Sequence, residues 1–279
     1  METKLKIISL NLQMKKIVTA FLFCVISFAS FSQGESISVE GINGCYKKTM
    51  SLSIHILLDT LGQKNITDAA IQTAIANLNS LFSPSCASFE ICETFIHPNV
   101  RNDKVRKGIE DVEIATMYNT KNTINIYFVQ EFTGGENPCG FAPLGSVTTP
   151  IYTASRDAIF ILKSCVAGKT IPHEFGHYFG LYHTFETSFG TELSNGSNCA
   201  IAGDLICDTP GDPYPNPTDT KVVNCNLTPG EKDSNGEYYT PDFCNIMSYY
   251  NSPCDGFKFT TGQFNKMLDV METGRNYLW

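Results

Sequence analysis

The sequence predicts an α+β domain in which strands and one amphipathic helix precede an irregular region. Strand patterns rich in apolar residues occur at residues 51–58, 123–130 and 158–162. A helical pattern lies between the first two of them, at residues 66–82. At residues 186–242 the chain is instead rich in Gly, Asn, Asp and Pro, which is typical of loops. This separation of regular and irregular chain favours an α+β fold.

Residues 1–33 predict an export signal. Two lysines precede an apolar run at residues 17–31, and a small-x-small cleavage site stands before Gln33. The run is shorter than the roughly 20 apolar residues that span a bilayer, and no later stretch approaches that length. Met14 is an alternative initiator, because the signal is complete from that residue onward. We therefore expect a secreted, extracellular or periplasmic protein without a membrane span, and a short prosegment or N-terminal extension at residues 34–50.

Charge and cysteine content agree with export. The formal net charge is −8, and removing residues 1–32 takes away four lysines and one glutamate, which leaves a value near −11. An acidic protein of this kind repels nucleic acid and anionic lipid, so neither is an expected partner. Of the 11 cysteines, Cys24 leaves with the signal, and the remaining ten predict up to five disulfides. The disulfide candidates are Cys45, Cys86, Cys92, Cys139, Cys165, Cys199, Cys207, Cys225, Cys244 and Cys254.

The first strand and helix are explained by packing. Residues 51–58 alternate in hydropathy and end at turn residues. His55 within them is expected to be a packed strand histidine without a ligand role. Thr67 and Asp68 start the helix, its apolar residues recur at helical spacing, and Pro84 ends it. No catalytic group lies on this helix, so we expect it to back the sheet.

The next part of the chain is predicted to contain strands separated by loops. Residues 87–95 are a second strand candidate, and His97 after it is expected to be exposed in a loop. The charged segment at residues 101–113 is interpreted as a solvated face and not as a binding patch. The strands at residues 123–130 and 158–162 then lead to the segment that carries the chemistry.

That segment is HEFGHYFGLYH, and it predicts a catalytic metal centre. Residues four apart share one face of a helix, so His173 and His177 can bind one ion while Glu174 reaches the water beside it. Gly180 allows the helix to end in a conformation that is costly for other residues, and His183 then arrives as a third ligand. Three histidines leave the fourth position of a tetrahedral zinc ion to water. This coordination is the mark of a catalytic site.

The motif resembles that of the metzincin clan of zinc metallopeptidases, which also carry a methionine turn after the third histidine. Residues 244–250, CNIMSYY, stand in that place. Four short segments resemble the pappalysin or cytophagalysin-type family more closely: HTF at 183–185, GDLICDTP at 203–210, NIMSYY at 245–250 and FTTGQFNKM at 259–267. The resemblance covers roughly residues 50–272.

The resemblance implies a metzincin-type catalytic domain at residues 51–279. Its upper subdomain, about residues 51–183, would hold a twisted, mostly parallel sheet, a backing helix and the active-site helix. Its lower subdomain, about residues 184–279, would be irregular and rich in disulfides, with the methionine turn and a C-terminal helix that begins within residues 259–267. Residues 139–143 resemble the family's upper-rim segment, which leads into an edge strand that binds extended peptide substrates antiparallel.

The implied reaction is hydrolysis of internal peptide bonds. Zinc would lower the pKa of its bound water towards about 7. Glu174 would take the proton as the water attacks the peptide carbonyl and would pass it to the leaving amine. Tyr249 resembles the tyrosine that stabilises the oxyanion in relatives. Met247 would form an apolar floor under the metal and is not predicted to be a ligand.

The resemblance also implies that metal and disulfides hold the long loop region in place. Asp204, Asp208 and Thr209 match the segment in which relatives coordinate structural calcium, and a solvated acidic loop is the alternative. The family's two-bridge pattern is approximated by Cys199, Cys225, Cys244 and Cys254. Cys207 is an additional cysteine with no assigned partner. Cys45 could cap the zinc as a propeptide cysteine does in some metzincins, but parity favours a disulfide.

Substrate preference and two rival functions stay open. Relatives that favour a basic residue after the scissile bond use an acidic side chain two residues before the last cysteine, where this chain has Ser252. A mixed or apolar preference is therefore equally open. One rival is a non-catalytic binding module on the same scaffold, which the intact motif disfavours. The other is a zinc amidase acting on non-protein amides, which would need a closed pocket. We expect protein or peptide substrates and a monomer.

Overall fold

The predicted sheet is present and contains five strands within the described part of the chain. The computed structural model describes residues 47–98, 103–135, 138–146, 157–213, 221–223, 226–228, 230–250 and 256–278. These residues belong to one compact unit. The predicted signal, Cys45, Cys225, Ser252 and Cys254 lie outside the described residues, so the predictions made for them are not addressed by the structure.

The strands are β1 (Thr49–Leu57), β2 (Ser88–His97), β3 (Lys104–Val105), β4 (Ile124–Val129), β5 (Glu131–Phe132), β6 (Gly140–Phe141), β7 (Ala158–Leu162), β8 (Lys221–Val223) and β9 (Asn226–Thr228). The central sheet has the order β2-β1-β4-β7-β6. β1 pairs parallel with β2 and β4, β4 pairs parallel with β7, and β6 pairs antiparallel with β7. The sheet is therefore mostly parallel, and β6 lies at its edge.

The helices are α1 (Asp68–Phe82), α2 (Glu110–Tyr118), α3 (Thr170–Tyr178) and α4 (Thr261–Glu272). α1 begins where the sequence predicts, because the Thr67 side chain accepts a hydrogen bond from the Ala70 N–H. Its buried residues, among them Ile71, Ile75 and Leu78, recur at helical spacing and pack on the sheet. Among the described residues, no helix is both long and apolar enough to cross a bilayer.

The other face of the sheet carries a row of stacked rings. Phe95, His55, Tyr127, Phe160 and Phe141 follow one another across β2, β1, β4, β7 and β6, with successive ring centres 4.2 to 5.1 Å apart. His55 is fully buried, as expected for a packed strand histidine. This row connects the far edge of the sheet to the edge strand β6.

One expectation for the end of β2 was wrong. His97 is not exposed in a loop, because it is the last residue of β2 and only 8% exposed. Its Nε2 lies 3.0 Å from the Nδ1 of His55. The charged segment contains β3 and the start of α2, and its Lys104, Arg106, Lys107 and Glu113 are exposed. The buried residues of α2, Ile114 and Ala115, follow that segment and pack against the stacked rings. The acidic first turn of α2 was the available sequence signal, but its apolar pattern is too weak to reveal a helix.

The end of α3 is bound by a residue from much later in the chain. Arg275 is fully buried, and its Nε–H donates to the Tyr178 carbonyl at 2.6 Å. Its guanidinium lies 3.2 Å from the centre of the Tyr178 ring and forms a 2.5 Å ion pair with buried Asp157. The three residues connect the start of β7, the C-terminus of α3 and the chain after α4.

Disulfides connect Cys139 with Cys165 and Cys199 with Cys207, and Cys86 is also disulfide-bonded. The first bridge joins the start of β6 to the end of β7, beside the edge of the sheet. The second corrects the implied pattern, in which Cys199 belonged to one set of bridges and Cys207 had no partner. The chain turns back on itself between these two residues, which brings their Cα atoms to 5.0 Å.

Candidate metal centre and active site

The active-site helix α3 packs against the sheet with most of its residues buried. Pro172 lies in its first turn, where a missing backbone N–H costs nothing because helix N–H groups there have no intrahelical acceptor. His173, Glu174 and His177 follow on this buried helix, 7% and 5% exposed for the first two. The three residues thus lie on one helix, as the sequence predicts.

Three imidazoles converge at the end of α3. The candidate ligand atoms of His173, His177 and His183 all lie within 4.8 Å of one another. The Nε2 atoms of His177 and His183 are 3.0 Å apart. Two ring nitrogens aimed at each other in this way present their lone pairs to a common point, as the ligands of one ion do.

Hydrogen bonds on the opposite side of two rings fix which nitrogen is available. His173 Nδ1 lies 2.8 Å from the carbonyl oxygen of Ile246, and His177 Nδ1 lies 2.7 Å from that of Leu181. A carbonyl oxygen can only accept, so each Nδ1 carries the proton and each Nε2 keeps its lone pair. Burial is the main cause that lowers the pKa of all three histidines, that of His183 to about 3. Neutral imidazoles with free Nε2 atoms fit a zinc ion.

Glu174 lies between the helix and the edge strand. A Cβ atom placed on Gly140 of β6 would lie 3.1 Å from the Glu174 Cγ, so the carboxyl group is held directly under the edge of the sheet. Burial raises its pKa to about 8, and the positive charge of Lys107 partly opposes this rise. A cation at the histidines would favour the ionised carboxylate further.

Two glycines of the motif have steric explanations. Gly180 has a φ of +92°, and its N–H donates to the His177 carbonyl at 2.9 Å, so α3 ends there in a left-handed conformation. Gly176 faces Met247, and a Cβ at this position would overlap with the Met247 sulfur. Met247 is fully buried. The methionine therefore packs directly beneath the helix turn that joins the two histidines.

Tyr249 lies on the solvent side of the same site. Its ring centre is 4.7 Å from that of His183, 5.7 Å from that of His173 and 4.8 Å from that of Phe185, and the residue is 43% exposed. The structure thus brings together the three histidines, Glu174, Met247 and Tyr249, which the sequence placed in two segments some 60 residues apart.

Comparison with known proteins agrees with this geometry. The sequence profile of Peptidase_M43, described as Pregnancy-associated plasma protein-A, matches residues 109–272, which is more than half of the chain. The chain belongs to the M43 metallopeptidase family.

Relatives and a solved structure support the M43 assignment. An extracellular metalloprotease of Podospora anserina is 30% identical over 198 residues, which cover 63% of this chain and 67% of that protein. An extracellular metalloprotease of Arthroderma otae is 26% identical over 237 residues, covering 81% and 79%. Mature mirolysin of Tannerella forsythia, solved with a cleaved peptide, matches with a TM-score of 0.56 at 20% identity and covers 82% of this chain and 94% of that chain. The structural likeness shows the fold.

A second polar cluster in this M43 peptidase lies in the loop region after His183. Asp204 is 2% exposed and accepts hydrogen bonds from the Ile206 N–H and the Thr209 hydroxyl. Glu192 is 4% exposed, packs against Gly203, and within the described chain neither of its carboxylate oxygens has a hydrogen-bond partner. Burial raises the pKa of both carboxyl groups to about 7. We call Glu192, Asp204 and Thr209 the acidic pocket.

Asp208 has a different environment from the pocket residues. Its carboxylate accepts from the Thr260 hydroxyl and the Gly262 N–H, both at 2.7 Å, at the N-terminus of α4. A carboxylate is stabilised there by the helix dipole. The structure therefore places Asp208 as a cap of α4, whereas Asp204 and Thr209 share the pocket with Glu192.

Three residues that shape the two sites, Glu192, Asp212 and Lys169, carry no signal in the sequence. Glu192 lies outside any motif, and only its burial reveals it. Asp212 accepts from the Thr184 hydroxyl at 2.6 Å and the Tyr250 hydroxyl at 3.1 Å, and so connects the loop after His183 to the methionine turn. Lys169 binds the same turn. No local pattern distinguishes these residues from ordinary surface charges.

Proposed function

We propose that this chain is a secreted zinc-dependent endopeptidase in which His173, His177 and His183 hold the metal. The convergence of the three imidazoles, with two Nδ1–H groups committed to backbone carbonyls, carries this proposal. The buried Glu174 beside them supplies the group that moves protons. Relatives named as extracellular metalloproteases and the predicted export signal support the location.

The protein's own residues provide the proton transfers. Zinc, when bound, supplies a water of lowered pKa and polarises the peptide carbonyl. The Glu174 carboxylate accepts a proton from the attacking water and donates it to the leaving amine nitrogen. Its position under β6 keeps it out of bulk water, so its pKa responds strongly to the charges beside it.

Tyr249 is proposed to stabilise the developing negative charge. Its exposed ring stands beside His183 and His173, on the side from which a substrate carbonyl can approach. A phenol O–H that donates to the oxygen only when charge develops there lowers the barrier more than it improves binding. Met247 serves as the apolar floor, since it is buried under Gly176.

The edge strand β6 is proposed to bind the substrate backbone. β6 is the last strand of the sheet within the described residues, and its Gly140 lies next to Glu174. An extended peptide added to this edge would place a backbone carbonyl near the three histidines. Protein and peptide substrates suit such an open edge, whereas small amides do not need it.

The acidic pocket is proposed to hold a structural calcium ion. Two buried carboxylates lie close enough for the charge of Glu192 to raise the pKa of Asp204, and Glu192 has two side-chain oxygens without partners in the described chain. Leaving such groups unpaired is costly. Carboxylate and hydroxyl oxygens are ligands that calcium prefers. Asp208, which we predicted as a further ligand, is instead proposed to cap α4.

Cleavage of a quenched peptide library of mixed sequence tests the function. The secreted protein is compared with Glu174→Gln and with a zinc-chelated sample, and cut sites are read by mass spectrometry. We expect internal cuts that disappear in both controls. Absence of cutting by zinc-loaded, prosegment-trimmed protein would overturn the peptidase proposal, and the amidase and binding-module readings would then be tested with small amides and pull-downs.

A further inference from the structure

The N-terminus of α3 carries a lysine where helix electrostatics disfavours one. Lys169 is the N-cap residue, its side chain makes no capping bond, and the first turn contains no acidic residue. Cations are unfavourable at this end because the free N–H groups already give it partial positive charge. A lysine that is unfavourable for the helix itself indicates that its side chain has a role in the tertiary structure.

The ammonium group of Lys169 binds the methionine turn. Its Nζ donates to the backbone carbonyl of Ser248 at 2.7 Å and to that of Tyr250 at 2.5 Å. It also lies 4.8 Å from the centre of the Phe257 ring. Burial lowers its pKa to about 8, and the negative charge of Asp212 opposes that decrease. The group is therefore still a cation at neutral pH.

The two carbonyls belong to the residues on either side of Tyr249. Peptide units are planar, so binding the carbonyls of Ser248 and Tyr250 to one ammonium restricts the soft backbone dihedrals between them. Those dihedrals set the direction in which the Tyr249 side chain leaves the backbone. Contacts with His183 and Phe185 then define the position of the ring.

The remainder of the turn is attached to the same helix and to the loop after it. The Ile246 carbonyl lies 2.8 Å from the Nδ1 of His173, and the Met247 carbonyl accepts from the Thr184 N–H at 3.3 Å. These bonds hold the first half of the turn. Lys169 holds the second half, which contains Tyr249, from a position one helical turn before His173.

We propose that Lys169 is a positioning residue for peptide hydrolysis, which orients Tyr249 towards the oxygen that becomes negatively charged. The inference rests on the proposed function, and specifically on the role of Tyr249. Lys169 itself does not touch the reacting atoms. Its effect should therefore appear in turnover and only when the Tyr249 hydroxyl is present.

A double-mutant cycle tests this dependence. Kinetics are measured for the trimmed, zinc-loaded protein and for Lys169→Met, Tyr249→Phe and the double variant. Loss of one oxyanion donor lowers kcat by about 100- to 1,000-fold, so we expect that range for Tyr249→Phe. We expect Lys169→Met to lower kcat about 10-fold with KM changed by less than about 2-fold, and to have less than about a 2-fold effect in the presence of Tyr249→Phe.

Two further variants serve as controls. Lys169→Arg keeps the charge and the donors, so it should retain more activity than Lys169→Met. Lys258→Met removes an exposed lysine that pairs with Asp242 at 3.8 Å on a neighbouring segment, and it should leave kcat unchanged. Zinc content and melting temperature are recorded for every variant. If Lys169→Met does not fold, Lys169→Gln enters the cycle in its place.

The outcomes separate the inference from the function on which it rests. Equal losses from Lys169→Met with and without Tyr249→Phe would show a purely structural role and overturn the inference. A wild-type kcat in Lys169→Met would also overturn the inference. Unchanged kcat in Tyr249→Phe would remove the role of Tyr249 and this inference together, while the peptidase proposal stands. No cleavage by the wild-type protein would overturn the proposed function itself.

Discussion

The histidine triad and the acidic pocket are both buried polar clusters, but they differ in how far the protein's own groups satisfy their hydrogen-bonding atoms. In the triad, the Nδ1 atoms of His173 and His177 donate to backbone carbonyls, and burial lowers the pKa of all three rings. In the pocket, the carboxylate oxygens of Glu192 have no hydrogen-bond partner within the described residues, and Asp204 lies close enough for Glu192 to raise its pKa. We therefore propose that a cation serves chemistry in the triad and stability in the pocket.

This contrast predicts different consequences of metal loss at the two sites. Removing an ion from the triad leaves neutral, mostly hydrogen-bonded rings, so the fold should persist while activity is lost. Removing an ion from the pocket leaves two buried carboxyl groups that must take up protons or repel each other. Four measurements test this contrast between the two sites.

The largest effect should come from Glu174→Gln. The substitution keeps the shape of the side chain but removes the group that accepts the proton, so kcat/KM should fall by about 1,000-fold, within the usual range for general acid–base catalysis. The melting temperature should not fall, because a buried carboxyl group is replaced by a neutral amide. Glu186→Gln, which changes a half-buried carboxylate near His183, is the matched control and should lose less than about 3-fold. Retention of activity in Glu174→Gln would contradict the assignment of the base.

Calcium should act on stability and not on chemistry. At a concentration about 100 times its Kd, a bound ion raises the free energy of unfolding by about 2.7 kcal/mol. We expect calcium to raise the melting temperature of the wild-type protein but not that of Glu192→Gln. Glu237→Gln, an exposed carboxylate of the same region, should keep the response. An equal calcium response in Glu192→Gln and the wild type would place the ion elsewhere.

A steric test addresses the floor of the triad. Alanine is normally preferred over glycine in a helix, by about 1 kcal/mol, yet Gly176→Ala should destabilise the protein by roughly 1 to 3 kcal/mol, because the new Cβ overlaps with Met247. Urea unfolding measures the change. Adding Met247→Ala should reduce the penalty of Gly176→Ala. A stabilised Gly176→Ala would show that the methionine is not packed against the helix.

The pair His55 and His97 provides a reference for buried imidazoles outside the proposed metal centre. Burial lowers the pKa of His55 to about 4 and also lowers that of His97. Because the folded state disfavours protonation, stability is fully present above pH 6.5 and is lost as pH falls towards 4. The loss between pH 7 and pH 5 should be about 1 to 2 kcal/mol by linkage. His55→Gln should flatten this dependence in urea unfolding, and an unchanged slope would assign the acid sensitivity to other groups.

The triad could be predicted from the sequence because its geometry is local. His173, Glu174 and His177 lie within five residues on one helix, so helical spacing alone brings them together. Gly180 marks the end of that helix and makes the return of His183 possible. Strands such as β4 and β7 were predictable for the same reason, since their burial on both faces produces continuous apolar runs.

The pocket and the turn restraints could not be predicted in this way. Glu192 and Asp204 are separated by a loop whose path depends on the bridge from Cys199 to Cys207, and sequence alone does not determine pairing. Lys169 and Tyr250 are 81 residues apart. α2 was missed because its helical pattern is weak, and His97 because the end of β2 was placed too early. Such contacts depend on the tertiary structure.

The position of Arg275 has a consequence for the order of events during synthesis and export. The guanidinium that binds the C-terminal end of α3 lies 97 residues further along the chain, and Asp157 has no other strong cationic partner among the described residues. A chain that emerges with its N-terminus first presents the zinc motif well before this arginine arrives. Until then α3 lacks its anchor, and folding that buries Asp157 would leave its charge without compensation. We therefore expect nascent molecules to stay proteolytically silent during translocation, which protects the exporting cell from its own enzyme.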